Sequence, residues 1–458
     1  MSTPASGLRL VAIALTAALL AAACGDDDDA SETVEREDVP TTTSAASAEP
    51  DEPADATTST TTTAPVALTD SFRGVTADRI KVGVVAVDLE ALAGLIDLDH
   101  GSYEDAYRAI IDDVNASGGV LGREIDVVFE SYIPLGTQAD EICERMVGDE
   151  EVFAVMGGLL DDGPLCYTEL NDTAFIGSTQ NDERVERSSA PWFTSFRNDD
   201  DAIRVVVEGF AQRGFFDETT VAVVAEVAAV EQIETVALPL LDELGVDVVD
   251  IDYIEASVLD ETATDNEVAL MAERQQTEGA DTVLAFGAAG PRYAGGIEDL
   301  GYRPRLLTTS LGSLRAYVRD RAGRDLDVLA GSAAGNTLEQ LGWWDDPLIQ
   351  ECIAIVEAAT GTTILDPNTR LAEEPENIVS VAAACRDVRL FVAIAVAAGP
   401  DLTNDTFGQA GATLGEFAIP GLGVGSYDAT TPDGNAPIYL FEWNDEIQDL
   451  ESDGTVLG

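Results

Sequence analysis

The sequence predicts an α/β protein folded as two lobes, each built on a parallel sheet with helices on both faces. Three observations carry this expectation. From Asp78 onward, short β-branched runs alternate with amphipathic helical stretches, the pattern of successive βαβ units. The alternation restarts near Phe196, so the series occurs twice. The stretch Asp78 to Gly458 is also too long for one ordinary core and suits two domains.

Taken in order, the chain opens on Arg9, an apolar run Leu10–Leu20 and the small residues Ala21-Ala22-Ala23. A positive start, an apolar middle and small residues before the cut make a secretory signal, and the run falls short of the roughly 20 residues a membrane span needs. Cys24 follows at once, an arrangement that resembles a bacterial lipoprotein signal, in which this cysteine is lipidated. The competing reading is an ordinary secreted protein cut near Ala23. Residues 24–77 are Asp, Glu, Thr, Ser, Ala and Pro with little to bury, and such a segment is expected to remain an extended, solvated tether.

In the first lobe, "IKVGVVA" (80–86) has the continuous apolar character of a buried strand. "SYEDAYRAIIDDVNASGG" then places Tyr103, Ala106, Tyr107, Ile110, Ile111 and Val114 on one helical face, with Gly118-Gly119 ending the helix. "IDVVF", "QADEICERMVG", "VFAVMG" and "AFIGS" continue as strand, helix, strand, strand. In the second lobe, "TVAVVAE" (220–226), the helix "AVEQIETVALPLLDELG", "VDVVDI", a helix around 266–278, "DTVLAFG" and "RYAGGIEDLG" repeat the logic. Two such lobes imply a cleft, with the turns after each strand facing it.

Composition narrows the function. The net charge is −62, and residues 1–77, with three Arg against thirteen Asp and Glu, account for only −10 of it. So acidic a body disfavours nucleic acid and anionic partners and suits a salty medium with a short screening length. Beyond Cys24, the four cysteines Cys143, Cys166, Cys352 and Cys385 are expected to pair as Cys143–Cys166 and Cys352–Cys385, nearest with nearest, in an oxidising compartment. No Cys/His spacing for zinc and no G-x-S-x-G elbow occurs in the sequence, and His100 is its one histidine. A secreted hydrolase is thereby disfavoured, although paired carboxylates could still support hydrolysis. No cofactor is expected.

The blocks "DRIKVGVVA", "AIIDDVNASGGVLGREIDVVFES", "FAVMGGLLDDGPLC", "AFIGSTQ", "PWFTSFRNDDD", "LDELGVDVV", "IEDLGYRPRLLTTS" and "ACRDVRLFVAIAVAAGPDLTNDTFGQA" resemble, in the same order, the type I periplasmic binding proteins, the leucine/isoleucine/valine-binding family of ABC-importer receptors. The resemblance implies two Rossmann-like lobes joined by a three-strand hinge, with lobe 1 at 78–196 and 333–425 and lobe 2 at 197–332 and 426–458. It implies a monomer that binds a small polar solute without transforming it, outside the cytoplasm and lipid-anchored, and delivers it to an ABC permease; a sensor or scaffold on the same fold is the alternative.

The resemblance also implies where the solute would bind. In lobe 1 it marks Asp99 or His100, then Leu159 and Asp161, then Ser178, Thr179, Gln180 and Asn181. In lobe 2 it marks Val230, Phe286, Gly287 and Ser310. Asp161 would face an amino-acid carboxylate with like charge, and Ser310 offers an ammonium no counter-charge, so ordinary branched-chain amino acids fit poorly. Asp161-Asp162 is open to two readings, a solvated turn or a cation site. Arg197 could pair with Asp199–Asp201 or with an anionic solute, and Trp343-Trp344 could pack inside or lie at a rim.

Overall fold

The computed structural model describes residues 68–457 except 93–98, 135–136, 257–260, 311–313, 316, 319–322, 337–339, 368 and 371–373. Cys24 and the tether through residue 67 lie outside the described residues.

The first sheet holds β1 (Arg79–Val87), β2 (Glu124–Tyr132), β3 (Ala154–Gly157), β4 (Ala174–Ile176) and β5 (Trp192–Phe193) in the order β2-β1-β3-β4-β5. Every pairing in it is parallel. The period-2 geometry of a strand divides its side chains between two faces. Val82, Val84, Ala154, Met156, Ala174 and Ile176 join one core cluster, while Val85, Val155 and Phe175 join another on the opposite face. Burial on both faces explains why these strands read as continuous apolar runs.

The second sheet comprises β6 (Thr220–Glu226), β7 (Asp247–Ile254), β8 (Thr282–Ala285), β9 (Arg305–Thr308), β10 (Ala333–Asn336), β13 (Ile438–Asn444), β14 (Asp449–Glu451) and β15 (Val456–Leu457). Its path is β14-β13-β10-β9-β8-β6-β7, with β15 also paired to β13. The pairings from β7 to β10 are parallel, and β13 adds antiparallel neighbours. Alternation recurs: Ala222, Val224, Val283 and Ala285 face one cluster, Val221, Val223, Ala225 and Leu284 the other. A separate hairpin is formed by β11 (Gly415–Ile419) and β12 (Gly423–Tyr427).

The helices that matter below are α1 (Tyr103–Ala116), α2 (Gln138–Glu144), α3 (Asp182–Arg187), α4 (Asp199–Gln212), α5 (Leu238–Glu243), α6 (Glu261–Glu278), α7 (Ala289–Gly296), α8 (Pro347–Thr360), α9 (Ile378–Ala398) and α10 (Asn404–Gly411). α1 begins on Ser102, whose hydroxyl accepts from Asp105 N, and buries Ala106, Tyr107, Ile110 and Ile111 as its periodicity predicts. Gly119 at φ +64 is obligatory, because a Cβ there would sit 2.0 Å from the Arg123 carbonyl oxygen. The predicted helix 229–245 is a continuous helical stretch of changing pitch, ending in α5. No helix among the described residues is long and apolar enough to cross a membrane.

The chain passes from the first sheet to the second between Phe193 and Asp199, returns after Asn336, and crosses again before Ile438. The segment 343–436 then contributes α8, α9 and α10 to the core under the first sheet. Two boundaries therefore differ from expectation. Residues 333–336, assigned to lobe 1, are a strand of the second sheet because β10 pairs with β9. Tyr427 and Ala436, assigned to lobe 2, are buried in the first core. A short small-residue strand such as "AAGN" carries no mark of its sheet, which only the pairing decides.

Both expected disulfides are present, Cys143–Cys166 and Cys352–Cys385. The first ties α2 to the segment after β3, and the second ties α8 to α9.

Candidate functional site

The carboxyl ends of the first sheet's strands form one edge of the site. After β1, Asp99 is exposed; its Oδ1 accepts from Gly101 N at 2.9 Å and its carbonyl from Glu376 N at 2.6 Å. His100 is only 3% exposed, with Nδ1 2.8 Å from the Tyr103 hydroxyl. Burial pulls its pKa down to about 4, with Asp99 opposing and Arg370 assisting, so the ring is neutral at physiological pH. It is a packed imidazole beneath the edge.

β3 ends on Gly157, at φ +124, where a Cβ would lie 2.1 Å from the Val85 carbonyl oxygen. Leu159 N then donates to Ser178 Oγ at 2.8 Å, and that hydroxyl donates to Gly157 O at 3.2 Å. Ser178 thereby ties the turn after β3 to the turn after β4. Gln180 is also held in place: its Nε2 donates to Trp192 O at 3.0 Å and its main-chain carbonyl accepts from Asp199 N at 2.8 Å, while its buried Oε1 has no partner among the described residues. Thr179 is part-exposed and its hydroxyl bonds the Asp199 carboxylate. Asn181 caps α3 through Arg184 N.

Asp161 is exposed at φ +50. Asp162 pairs with Arg184 at 3.0 Å and Arg187 at 2.9 Å. Partial burial opposes its ionisation, but the hydrogen bonds from Arg187 and Arg184 prevail and hold it below the usual range. Among the described residues no group of three or more His, Cys, Asp or Glu is arranged to hold a metal ion. The turn is one of surface ion pairs.

The second edge is the carboxyl end of β6, β8 and β9. Val230 is part-buried at the start of a helical turn after β6. Phe286 is buried in the core. Gly287, at φ +56, donates its N–H to Thr309 Oγ1 at 3.2 Å, and Ser310 N lies 3.2 Å from Thr308 Oγ1. Sequence reasoning missed an ion pair here. Glu226, the last residue of β6, meets Arg292 of α7 at 2.9 Å with both side chains largely buried. Arg292 also donates to Ala256 O and Thr264 Oγ1.

The two edges meet through α4. Asn198 caps this helix by accepting from Asp200 N and Asp201 N, which sets three aspartates in its first turn where the helix dipole favours them. Asp200 Oδ2 accepts from Asp182 N of the first lobe at 2.9 Å, and its Oδ1 from Gln232 Nε2 of the second at 2.7 Å. Asp199 beside it is raised to about 6, chiefly by desolvation, with Thr179 and Arg184 lowering it and Asp200 raising it. Arg197 meets Asp201 at 2.5 Å and donates to Ala436 O at 3.0 Å, which is the structural ion pair. Trp343 is buried and Trp344 part-buried, so the pair packs inside. "FRNDDD" announces a helix start in sequence, but nothing there tells that Asp200 bridges two lobes.

The strand-end turns of the two sheets thus carry hydroxyls, backbone amides and paired charges, with Asp99 and Asp161 exposed beside them, and Asp200 links one set to the other. This arrangement suits hydrogen bonding to a small polar molecule.

A family model described as "Periplasmic binding protein" matches residues 79–449. No curated protein matches the chain. Solved structures share the fold at low identity. A substrate-binding protein of an ABC transporter from Desulfitobacterium hafniense, in complex with Leu, is 14% identical, with a TM-score of 0.56 over 82% of this chain and 100% of that one. A solute-binding protein from R. palustris, in complex with 4-hydroxybenzoate, is 16% identical, with a TM-score of 0.58 over 83% and 97%. A fatty acid ABC transporter substrate-binding protein from Thermomonospora curvata is 16% identical, with a TM-score of 0.57 over 85% and 94%.

Proposed function

Because the chain belongs to the periplasmic binding protein family, we propose that it is an extracytoplasmic receptor that takes a small polar solute between its lobes and hands it to an ABC importer. Binding, without chemistry on the solute, is its whole activity. One observation carries the reading: Asp200 bonds Asp182 of one strand-end turn and Gln232 of the other, so the two ligand-facing edges converge at the first crossover. A solute that contacts both edges stabilises the closed arrangement over the open one, and the permease distinguishes the two.

The solute-facing groups are Thr179 with Asp199, the amides after β4, Gln232, Gly287 and Ser310. Asp161, exposed at the rim, disfavours a bare carboxylate beside it, and no aromatic follows β6, so the cargo differs from a branched-chain amino acid. A lipid on Cys24 with the tether behind it keeps the monomeric receptor near its permease; the lipid need not span the membrane.

The test is thermal unfolding in high salt, with calcium or chelator, against amino acids, polyamines, amides, sugars and small carboxylates. A solute at about a hundred times its Kd adds about 2.7 kcal/mol and raises the midpoint by a few degrees. No shift across the panel would favour a sensor or scaffold whose partner is another protein.

A further inference from the structure

The middle of α9 holds a charge that the solute edges do not use. Arg386 is 2% exposed, and a buried guanidinium without a carboxylate partner is strongly destabilising. Its neighbour Asp387 does not fill that role, since it accepts from the Tyr107 hydroxyl at 2.5 Å. Arg386 donates Nε–H to Pro420 O at 2.7 Å, and its guanidinium carbon lies 4.2 Å from the centre of the Trp343 ring. Its Nη2 has no hydrogen-bond partner among the described residues. Burial brings its pKa down to about 10, with Asp387 and Asp346 opposing, so it is still a cation at neutral pH.

A second donor shares this situation. Trp343 is also 2% exposed, and its indole Nε1 is unpartnered. Gly421, at φ +73, lets both approach the backbone: a Cβ there would fall 2.8 Å from Trp343 Cδ1 and 3.1 Å from Arg386 Nη2. Two desolvated, unmatched donors therefore lie side by side at the edge of one cation–π stack. An interior cation with an adjacent free N–H calls for an anion that accepts from both.

We propose that Arg386 and Trp343 form an anion subsite that receives the carboxylate of a small organic acid. The proposal rests on the reading of the chain as a solute receptor and names the charged end of the solute. The position fits: Trp343 follows the second crossover, and Phe196, part-exposed on the first, has its ring centre 5.9 Å from the guanidinium carbon. Phe196 is thus a part-exposed side chain in contact with the buried guanidinium, on a segment that runs between the two sheets. A halide from solvent offers the same monoanionic acceptor chemistry, and the experiment separates the two sources.

The experiment uses the folded chain labelled with 15N-tryptophan. Of its four tryptophans, Trp343 is assigned by the loss of its indole signal in Trp343→Phe, which keeps a ring against Arg386. Sodium acetate, sodium benzoate and sodium chloride are titrated at constant ionic strength held with sodium sulfate, with acetamide and benzamide as uncharged counterparts. A saturable movement of the Trp343 indole N–H with the carboxylates alone identifies the solute's acid group as the occupant. The same movement with chloride also supports the anion subsite and assigns its occupant to solvent. Arg386→Gln should weaken the binding by about tenfold to a hundredfold; if it does not fold, Trp343→Phe should weaken it by several-fold, read from the anion concentration that raises the thermal midpoint.

An indole signal unmoved by every anion, or anion affinity unchanged in both variants, overturns the subsite. Should some solute stabilise the chain while Trp343 stays unmoved, the subsite fails and the receptor reading stands. Movement of Trp343 by chloride alone, with no solute of the panel stabilising the chain, supports the subsite and counts against the receptor reading.

Discussion

Asp387→Asn should make the protein more stable, and by an amount that depends on pH. Asp387 lies in the core of α9, where burial raises its carboxyl from 3.8 to about 7 against the lowering effects of Tyr107 and Arg386. Because the folded pKa exceeds the unfolded one, the folded state holds the proton more tightly between about pH 4 and 7. Stability from this group is complete below the unfolded value and is lost as pH rises through the folded one. A shift of roughly three units at about 1.4 kcal/mol each sets an upper bound of about 4 kcal/mol. His100 works in the opposite sense: its folded value is about 4 against 6.5, so its unfavourable contribution fades as pH rises from 4 to 6.5. The two therefore partly cancel in the wild type, and the variant separates them.

Asparagine keeps an acceptor for the Tyr107 hydroxyl and cannot ionise. The expected excess stability of Asp387→Asn is near zero at pH 4 and about 2–4 kcal/mol at pH 8. Urea unfolding of both proteins at the two pH values, in the same high salt, reads it directly. A difference that is equal at both pH values, or larger at pH 4, would refute the assignment of a protonated carboxyl to the core.

His100→Asn should remove the stabilising rise between pH 4 and 6.5 and leave the decline from Asp387 exposed in the same urea titration. Removing either disulfide by paired Cys→Ser substitution should lower stability by about 3–4 kcal/mol, since the linked residues are 23 and 33 apart in sequence. Ser178→Ala deletes the hydroxyl that joins Leu159 N to Gly157 O and should cost about 1–3 kcal/mol, measured by chemical unfolding. With a net charge of −62, dilution from 1 M to 0.1 M salt lengthens the screening distance from about 3 Å to about 10 Å and should lower the melting temperature; an unchanged midpoint would contradict the account of the acidity.

Much of the fold was legible because its code is local. Continuous apolar runs gave β1, β3 and β6 within a residue or two, since strands buried on both faces need apolar residues at every position. The apolar face of α1 and the two disulfide pairings followed the same way. The lobe boundaries at 333 and 426 did not, because β10 and Tyr427 choose their lobe by partners distant in sequence. The site was legible as a set of turns and illegible in its side-chain roles. Ser178 and Gln180 stand at strand-end turns as expected, yet their side chains bind the scaffold. Asp200 and Gln232, which join the edges, carry no local signature, and the buried Arg386 looks in sequence like any polar residue within a long apolar helix.

The most direct test of the central claim is small-angle X-ray scattering of the chain alone and with the solute that gives the largest thermal shift. Capture between two lobes predicts a smaller radius of gyration at saturation, reached at the concentration where the thermal shift saturates. Scattering unchanged by a solute that demonstrably binds would contradict closure around it.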